Sequence, residues 1–252
     1  MGRGFQGAVL KMLRAPEHEL AIIKAREAPP YTELTVQCPS LLGPGTNLPP
    51  TSWVRMWIPE GGREHQRAYT LTCLDREAAT AQILVLHHDP AGPASRWALR
   101  AEPGSSVSVQ LLGGTSYRTP ADGDRMLLVG DLASAPAIAE AVEAAPPGCT
   151  VEVVMLAHAD DWLPRASRPH RMSLVDPEAA EAVVLEEVDG AIGATARGGA
   201  PDWTWVALEM RLNRAVRRHL VSSGLERRSI QHQAYWVRGR AMGTTSSASS
   251  PR

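Results

Sequence analysis

The hydrophobic pattern of this 252-residue chain changes near its middle, and this change most constrains the fold. In the first part, short apolar or alternating segments are separated by connectors rich in proline and glycine, such as 42–45 and 59–62. Short strands with frequent turns predict an antiparallel barrel or sandwich. Strands are predicted over 33–38, 53–58, 68–74, 81–86 and 107–112, and a short helix over 97–102.

After Gly113 and Gly114 the apolar segments become continuous, which is typical of strands buried on both faces. Strands that alternate with helices predict right-handed crossovers and a parallel sheet. Strands are predicted over 126–130, 151–157, 182–185 and 203–207, and helices over 135–144 and 211–222. The predicted fold class is therefore β + α/β: an antiparallel β-barrel domain over 1–118, a parallel-sheet α/β domain over 119–240 and a disordered tail over 241–252.

Charge and composition exclude several classes of protein. With 26 Lys+Arg against 27 Asp+Glu, the chain lacks the basic excess of a general nucleic-acid binder. No apolar run reaches the roughly 18 residues that cross a bilayer, and the start of the chain lacks the pattern of a signal peptide. The three cysteines and eight histidines form no metal-binding motif. We predict a cytoplasmic protein without membrane insertion, nucleic-acid partner or protein-bound metal.

The first candidate binding motif is Arg67-x-Tyr69-Thr70, at a predicted strand. An arginine can pair with a pyrophosphate, and a tyrosine two residues later points to the same face and can lie against a flat ring. The threonine hydroxyl can hydrogen-bond the edge of a flavin. An ordinary strand with one surface arginine would also have this sequence, so the motif alone does not decide.

The second candidate is the segment from His87 to Ala98, where a turn rich in glycine and proline enters a short helix. Free backbone N–H groups at such a turn suit a diphosphate. Ser95 can add a hydroxyl group, and Trp97 can pack beside a ligand. The alternative is a loop whose tryptophan belongs to the core and whose His87 only completes a strand.

Five segments share a pattern when they are taken together. In chain order they are RxYT (67–70), VLHxD…GPASRWA (85–98), LLVGD…PAIAE (127–140), W…LExxxxRxxRRHL (205–220) and YWVRG (235–239). Together they resemble the siderophore-interacting proteins, the FAD-containing ferric-siderophore reductases of the ferredoxin-reductase-like superfamily. The resemblance extends in order over about 20–240. It is therefore much more specific than either candidate motif.

The resemblance implies an FAD-dependent oxidoreductase that passes electrons from NAD(P)H through the flavin to Fe(III) in a siderophore. No residue is expected to be catalytic, because the cofactor carries the chemistry. The barrel would then bind FAD and the α/β domain NAD(P)H. The implied cofactor-binding residues are Arg67, Tyr69 and Thr70 for the flavin ring and phosphates; His87, Ala94, Ser95, Arg96, Trp97 and Ala98 for the diphosphate and adenosine; Trp236 near the flavin; and Asp131, Pro136, Trp205 and Glu209 in the nucleotide domain.

The chain departs from the family pattern in the nucleotide domain. Members have GDETALPAI where this chain has GDLASAPAI (130–138), so Leu132 and Ala133 replace an acid and a hydroxyl. Leu208 replaces a glycine of the family's WxAGE, and we expect its side chain to block a nicotinamide. The alternatives are a flavoprotein with another donor such as a ferredoxin, a flavoprotein of natural-product biosynthesis, and a non-catalytic binding module.

The end of the chain is strongly basic. Residues 211–240 hold eight arginines and one acid, whereas 121–209 hold sixteen acids and five arginines. We expect Arg217, Arg218 and Arg238 to attract the substrate, an anionic ferric siderophore or another small-molecule acceptor. The alternative is a solvated helix face, with basic residues favourable near a helix C-terminus.

Overall fold

The computed structural model describes residues 16–111, 117–195 and 200–239, which form two sheets of seven and five strands. The strands are β1 (Glu17–Ala28), β2 (Tyr31–Gln37), β3 (Trp53–Glu60), β4 (Arg63–Thr70), β5 (Thr72–Asp75), β6 (Thr80–Leu86), β7 (Ser106–Gln110), β8 (Arg125–Asp131), β9 (Thr150–Leu156), β10 (Arg171–Val175), β11 (Trp203–Glu209) and β12 (Ile230–Trp236). The helices are α1 (Pro39–Leu42), α2 (Pro93–Ala98), α3 (Ala135–Glu143), α4 (Glu181–Thr195) and α5 (Met210–Ser222).

The N-terminal sheet has the order β4-β3-β7-β1-β2-β6-β5, and its strands pair antiparallel. It curves into a half-barrel around an apolar core that includes Leu20, Leu34 and Ile83, all fully buried. Ala94 and Ala98 of α2 belong to the same core, so this helix closes one side of the half-barrel. The predicted antiparallel β-domain is confirmed.

Two elements of this domain differ from the prediction. The strand predicted over 68–74 is broken at Leu71 into β4 and β5, and Cys73 adopts a φ of 49°. The short helix begins at Pro93, where proline is preorganised for a first helical turn, and ends at Ala98 instead of 102. Residue 112 of the last predicted strand lies outside the described residues.

The second sheet is parallel, with the order β10-β9-β8-β11-β12. Its central strand explains the continuous apolar run, because alternate residues enter different cores. Met126 and Leu128 pack with α3, whereas Leu127 and Val129 pack with α4 and α5. The predicted parallel α/β domain is confirmed.

The strand predicted over 182–185 is wrong, since these residues lie within α4, and the actual edge strand is β10. Val184, Val188 and Ala191 contact the core at helical spacing, which a four-residue window cannot distinguish from a strand. The domain boundary at 118 stays a prediction, as β7 ends at Gln110 and β8 begins at Arg125. The predicted tail over 241–252 lies outside the described residues.

Gly130 allows α3 to pack closely on the end of β8. A Cβ atom there would lie 2.7 Å from Ser134 Oγ and 2.9 Å from Ile138 Cγ1, too close for either neighbour. We expect Gly130→Ala to lower the free energy of unfolding by about 1–3 kcal/mol, because the added methyl group overpacks this contact. Urea denaturation measures the change. Gly190→Ala is the control. Its Cβ meets open space within α4, so it should raise stability by about 0.5–1 kcal/mol.

A Gly130→Ala protein as stable as the wild type would contradict this packing argument. The comparison is informative because both variants make the same chemical change in one domain.

Candidate functional site

The carboxyl ends of the parallel strands meet the half-barrel, and hydrogen bonds join the two. Tyr31 Oη of β2 donates to the carbonyl oxygen of Leu132 (2.7 Å), directly after β8. The Cys73 amide donates to Glu140 Oε1 of α3 (3.0 Å). The Tyr31 ring also meets Trp162 edge to face, with ring centroids 5.9 Å apart. These contacts define the boundary between the half-barrel and the parallel sheet.

Arg67 and Tyr69 lie on one side of β4, as their spacing predicts. They pair opposite Met56 and Val54, whose side chains are in the half-barrel core, so both project toward the core side. Tyr69 is half-buried against that core, and burial raises the pKa of its phenol. Arg67 Nη1 donates to the carbonyl of Gln66 (2.7 Å), and its guanidinium forms no ion pair with a described carboxylate. Arg67 therefore has a charge available for an anionic ligand.

Thr70 is buried on the other side of β4. Its side chain lies close to that of Tyr235 in β12, and burial raises the pKa of the Tyr235 phenol. The next residue, Trp236, donates from Nε1 to Asp131 Oδ2 (2.8 Å). The structure thus brings Thr70, Trp236 and Asp131 to the domain boundary.

His87, directly after β6, has a polar ring atom without a hydrogen-bond partner among the described residues. Its Nε2 shares a hydrogen bond with Thr32 Oγ1 (2.8 Å), while its Nδ1 is buried and has no partner among the described residues. Burial lowers the pKa of the imidazole. A buried ring nitrogen without a partner costs free energy, which a ligand that hydrogen-bonds it would recover.

Helix α2 packs on the half-barrel core next to the end of β6, which precedes His87. Ser95 is buried, and its Oγ donates to the carbonyl of Leu86 (3.2 Å). Trp97 is half-buried against the half-barrel core, with Ala94 and Ala98 beside it in that core. The small alanines and the indole fix the position of the turn before α2.

Arg96 already has partners within the protein. Its Nε and Nη2 bind the two carboxylate oxygens of Glu60 at 2.7 and 2.8 Å, and its Nη1 donates to the carbonyl of Ala91. The pair raises the pKa of Arg96 and lowers the pKa of Glu60. In this structure Arg96 therefore ties α2 to β3, and its contact with a diphosphate stays a prediction.

The unpaired Arg67 and the orphaned Nδ1 of His87 fit an anionic ligand with hydrogen-bond acceptors, and the half-buried ring of Tyr69 fits a planar one. FAD combines both properties. The half-barrel residues are therefore compatible with FAD as a resident cofactor.

The turn between β8 and α3 is closed by its own side chains. Ser134 Oγ accepts from the Asp131 amide (2.9 Å) and donates to the Asp131 carbonyl (3.1 Å). The Asp131 carboxylate in turn accepts from the Ser134 amide (3.1 Å). Pro136 is buried in the first turn of α3. These residues shape the turn, and Asp131 is only 8% exposed.

Glu209 caps α5. Its carboxylate accepts from the amides of Arg211 (2.6 Å) and Leu212 (3.3 Å), and from the amide of Arg238 (3.3 Å) after β12. Trp205 is fully buried and meets the Tyr235 ring edge to face. Both residues hold neighbouring elements of the α/β domain in place. Their contact with a cofactor stays a prediction.

The expectation that Leu208 blocks a nicotinamide is wrong. Leu208 is 0% exposed and packs with Val216 and Leu220 in the core between the sheet and α5. A side chain with no solvent-exposed surface does not border a cleft and so cannot close one. Leu132 is half-buried and packs toward the α3 side of the sheet.

The three predicted substrate arginines are in different places. The guanidinium of Arg238 lies over the Trp236 ring, 5.8 Å from its centroid, at the domain boundary. Arg217 and Arg218 are exposed in the second half of α5, about 10 Å along its axis from Met210, at 1.5 Å per residue. Burial, and then the charge of Arg217, lowers the pKa of His232. Of these three arginines, the structure brings Arg238 close to the other predicted site residues.

Sequence reasoning missed Tyr31, Trp162 and Ser134. Tyr31 and Leu132 are 101 positions apart, and no local signal marks such a contact. Within 16–111, 117–195 and 200–239, no three His, Cys, Asp or Glu side chains are grouped to hold a metal ion. No helix in those ranges is long and apolar enough to span a bilayer.

Two family models match the chain in tandem. The siderophore-interacting FAD-binding domain matches 38–114, and the siderophore-interacting protein model matches 123–239. The chain belongs to the siderophore-interacting protein family. The resemblance of the five segments is thereby confirmed.

Solved structures show the fold of this siderophore-interacting protein. A siderophore utilization protein from T. fusca is 22% identical, with a TM-score of 0.72 over 90% of this chain and 94% of that chain. A siderophore-interacting protein from Aeromonas hydrophila is 20% identical, with a TM-score of 0.69 over 88% and 99%. A ferredoxin NADP+ reductase from Neisseria gonorrhoeae with bound FAD and NADP is 14% identical, with a TM-score of 0.64 over 88% and 100%.

The curated relatives are much longer than this chain. The mycobactin import ATP-binding/permease protein IrtA of Mycolicibacterium thermoresistibile is 34% identical over 264 aligned positions, which include 97% of this chain and 27% of that protein. The protein of the same name from Mycolicibacterium smegmatis is also 34% identical, with 97% and 28% covered. The chain thus spans about a quarter of the length of these relatives.

Proposed function

We propose that this protein is an FAD-dependent reductase that passes electrons from NAD(P)H to Fe(III) in a siderophore and releases the iron as Fe(II). The observation that carries the proposal is the unpaired guanidinium of Arg67 beside the half-buried Tyr69 ring, in a domain of the FAD-binding family. The membership of the chain in the siderophore-interacting protein family supports the acceptor.

In this proposal the half-barrel holds FAD. Arg67 pairs with the phosphates, Tyr69 packs against the flavin ring, and Thr70 bonds the flavin edge. His87 Nδ1 gains a hydrogen-bond partner. When bound, FAD would supply the redox chemistry, which is acceptance of a hydride from a reduced nicotinamide and donation of single electrons to the iron. Ser95, Trp97 and the small Ala94 and Ala98 hold the turn that borders the diphosphate and adenosine, with Arg96 at its outer edge.

NAD(P)H would bind at the carboxyl ends of the parallel strands, which is the general ligand site of such sheets. Asp131, Pro136, Trp205 and Glu209 form the frame of that edge. One observation favours a second candidate, a ferredoxin as donor. The amide of Ser134, at the start of α3, is already bonded to the Asp131 carboxylate, so it does not offer that N–H group to a nucleotide phosphate.

On the acceptor side, Arg238 next to Trp236 would attract the negative charge of a ferric chelate. Arg217 and Arg218 would act at longer range, as part of the basic surface of α5. Fe(II) binds hard oxygen ligands less tightly than Fe(III), so reduction releases the iron. The proposal places the protein in the cytoplasm, where NAD(P)H is available.

A trap for Fe(II) tests this reaction. The FAD-loaded protein is mixed anaerobically with NADH or NADPH, a ferric siderophore and a chromogenic chelator specific for Fe(II). We expect colour to form only with protein, FAD and donor together, and the gallium siderophore to inhibit because it occupies the site without being reduced.

The donor is tested in the same assay with dithionite in place of NAD(P)H. If only the dithionite-reduced protein releases Fe(II), the ferredoxin alternative replaces NAD(P)H as donor. If neither reductant leads to Fe(II), the reductase proposal is wrong.

A further inference from the structure

Asp131 is the point at which three segments of the α/β domain converge. Its Oδ2 accepts from Trp236 Nε1 at the end of β12 (2.8 Å), and its Oδ1 from the Ser134 amide at the start of α3 (3.1 Å). One buried side chain therefore connects the end of β8 with the start of α3 and the end of β12.

The carboxylate has no cationic partner among the described residues, and its hydrogen bonds with Trp236 and Ser134 both come from N–H groups. Burial raises the pKa of Asp131, and its hydrogen bonds oppose that shift. An uncompensated buried carboxylate costs free energy, and an apolar side chain would fill the same space at lower cost. The carboxylate does what an apolar side chain cannot, since it fixes the direction of the N–H groups that point to it.

Trp236 is the side chain most affected by this constraint. An indole has a single hydrogen-bond donor, so its bond to Asp131 determines how the ring is turned. Arg238 lies over one face of the ring. The neighbouring Tyr235 lies close to Thr70 of the Arg-x-Tyr-Thr motif, so the end of β12, which carries Trp236, reaches the boundary with the half-barrel beside this motif.

We propose that Asp131 is a positioning residue, which orients the Trp236 indole at the edge of the flavin site and thereby makes FAD binding tight and its geometry unique. This inference rests on the proposed function, because it assumes that FAD binds. It gives Asp131 a role different from the direct nucleotide contact that the family resemblance implies.

A double-mutant cycle of Asp131→Asn and Trp236→Phe tests the inference. Trp236→Phe keeps an aromatic ring but removes the donor, and Asp131→Asn keeps the shape but removes the carboxylate. We expect each variant to raise the dissociation constant for FAD about tenfold, because part of a charge-assisted hydrogen bond is lost. We also expect each to change the visible circular dichroism of bound FAD. The double variant should be no worse than the weaker-binding single variant.

Asp202→Asn is the matched control. Asp202 pairs with Arg125 at the opposite end of the same strand (2.8 Å), so its loss should leave both FAD readouts unchanged. If Asp131→Asn does not fold, Asp131→Ser, which is smaller and still polar, takes its place in the cycle.

Two failures are distinguishable. A wild-type protein that does not bind FAD would overturn the proposed function itself. A wild type that binds FAD, with variants of unchanged dissociation constant and circular dichroism or with additive effects, would overturn only the positioning role.

Discussion

Replacing Arg67 with alanine is expected to weaken FAD binding roughly 10- to 100-fold, the cost of losing a charge-assisted hydrogen bond to a phosphate. Within the part of the chain that the structure describes, its guanidinium is bonded to the backbone carbonyl of Gln66 and forms no ion pair with a carboxylate. Its charge is therefore free to stabilise the anionic cofactor. Titration of the apoprotein with FAD, followed by flavin fluorescence, measures the dissociation constant.

Arg63→Ala is the matched control for Arg67→Ala, because Arg63 begins the same strand and is exposed. It removes an equal charge from β4 at the far end of the strand. Equal dissociation constants for the two variants would contradict the assignment of Arg67 to the phosphates and would reduce the effect to general electrostatics.

Leu208→Ala is expected to lower the free energy of unfolding by about 3–5 kcal/mol, as other buried leucine truncations do. Leu208 is completely buried among Val216 and Leu220, so its truncation leaves a cavity in the core. It should not speed the reduction of FAD by NAD(P)H, because its side chain does not border a cleft. Urea denaturation and anaerobic stopped-flow measure the two quantities.

Leu99→Ala makes the same chemical change at a leucine that is 57% exposed, and it should cost little stability. If Leu208→Ala is as stable as Leu99→Ala, the packing of Leu208 is misassigned. If it instead accelerates reduction by NAD(P)H, the leucine does obstruct the nucleotide, as the family pattern first suggests.

The fold is largely predictable where a strong local signal coincides with a long element. The apolar run before Gly130, followed by a helix with Pro136 in its first turn, predicts β8 and α3 almost to the residue. The signal fails where apolar residues are few. The valines at 183 and 184 favour a strand, but Val188 and Ala191 complete a helical face that lies beyond the predicted segment.

The candidate site is predictable only in part, for a different reason. Arg67 and Tyr69 are found from the sequence because their spacing alone places them on one side of a strand. Asp131 and Glu209 are named only through the family resemblance. Their partners are not predicted, because the Trp236 indole lies in β12 and the Arg238 amide directly after it. Such caps depend on tertiary contacts that no local pattern encodes.

An anaerobic visible spectrum of the FAD-loaded protein, taken before and after addition of NADPH or NADH, tests the central claim most directly. We expect the absorption of oxidised flavin to bleach with the nicotinamide donor and to return when a ferric siderophore is added. A protein that cannot be loaded with FAD, or whose bleached flavin stays reduced in the presence of the ferric siderophore, would contradict the account.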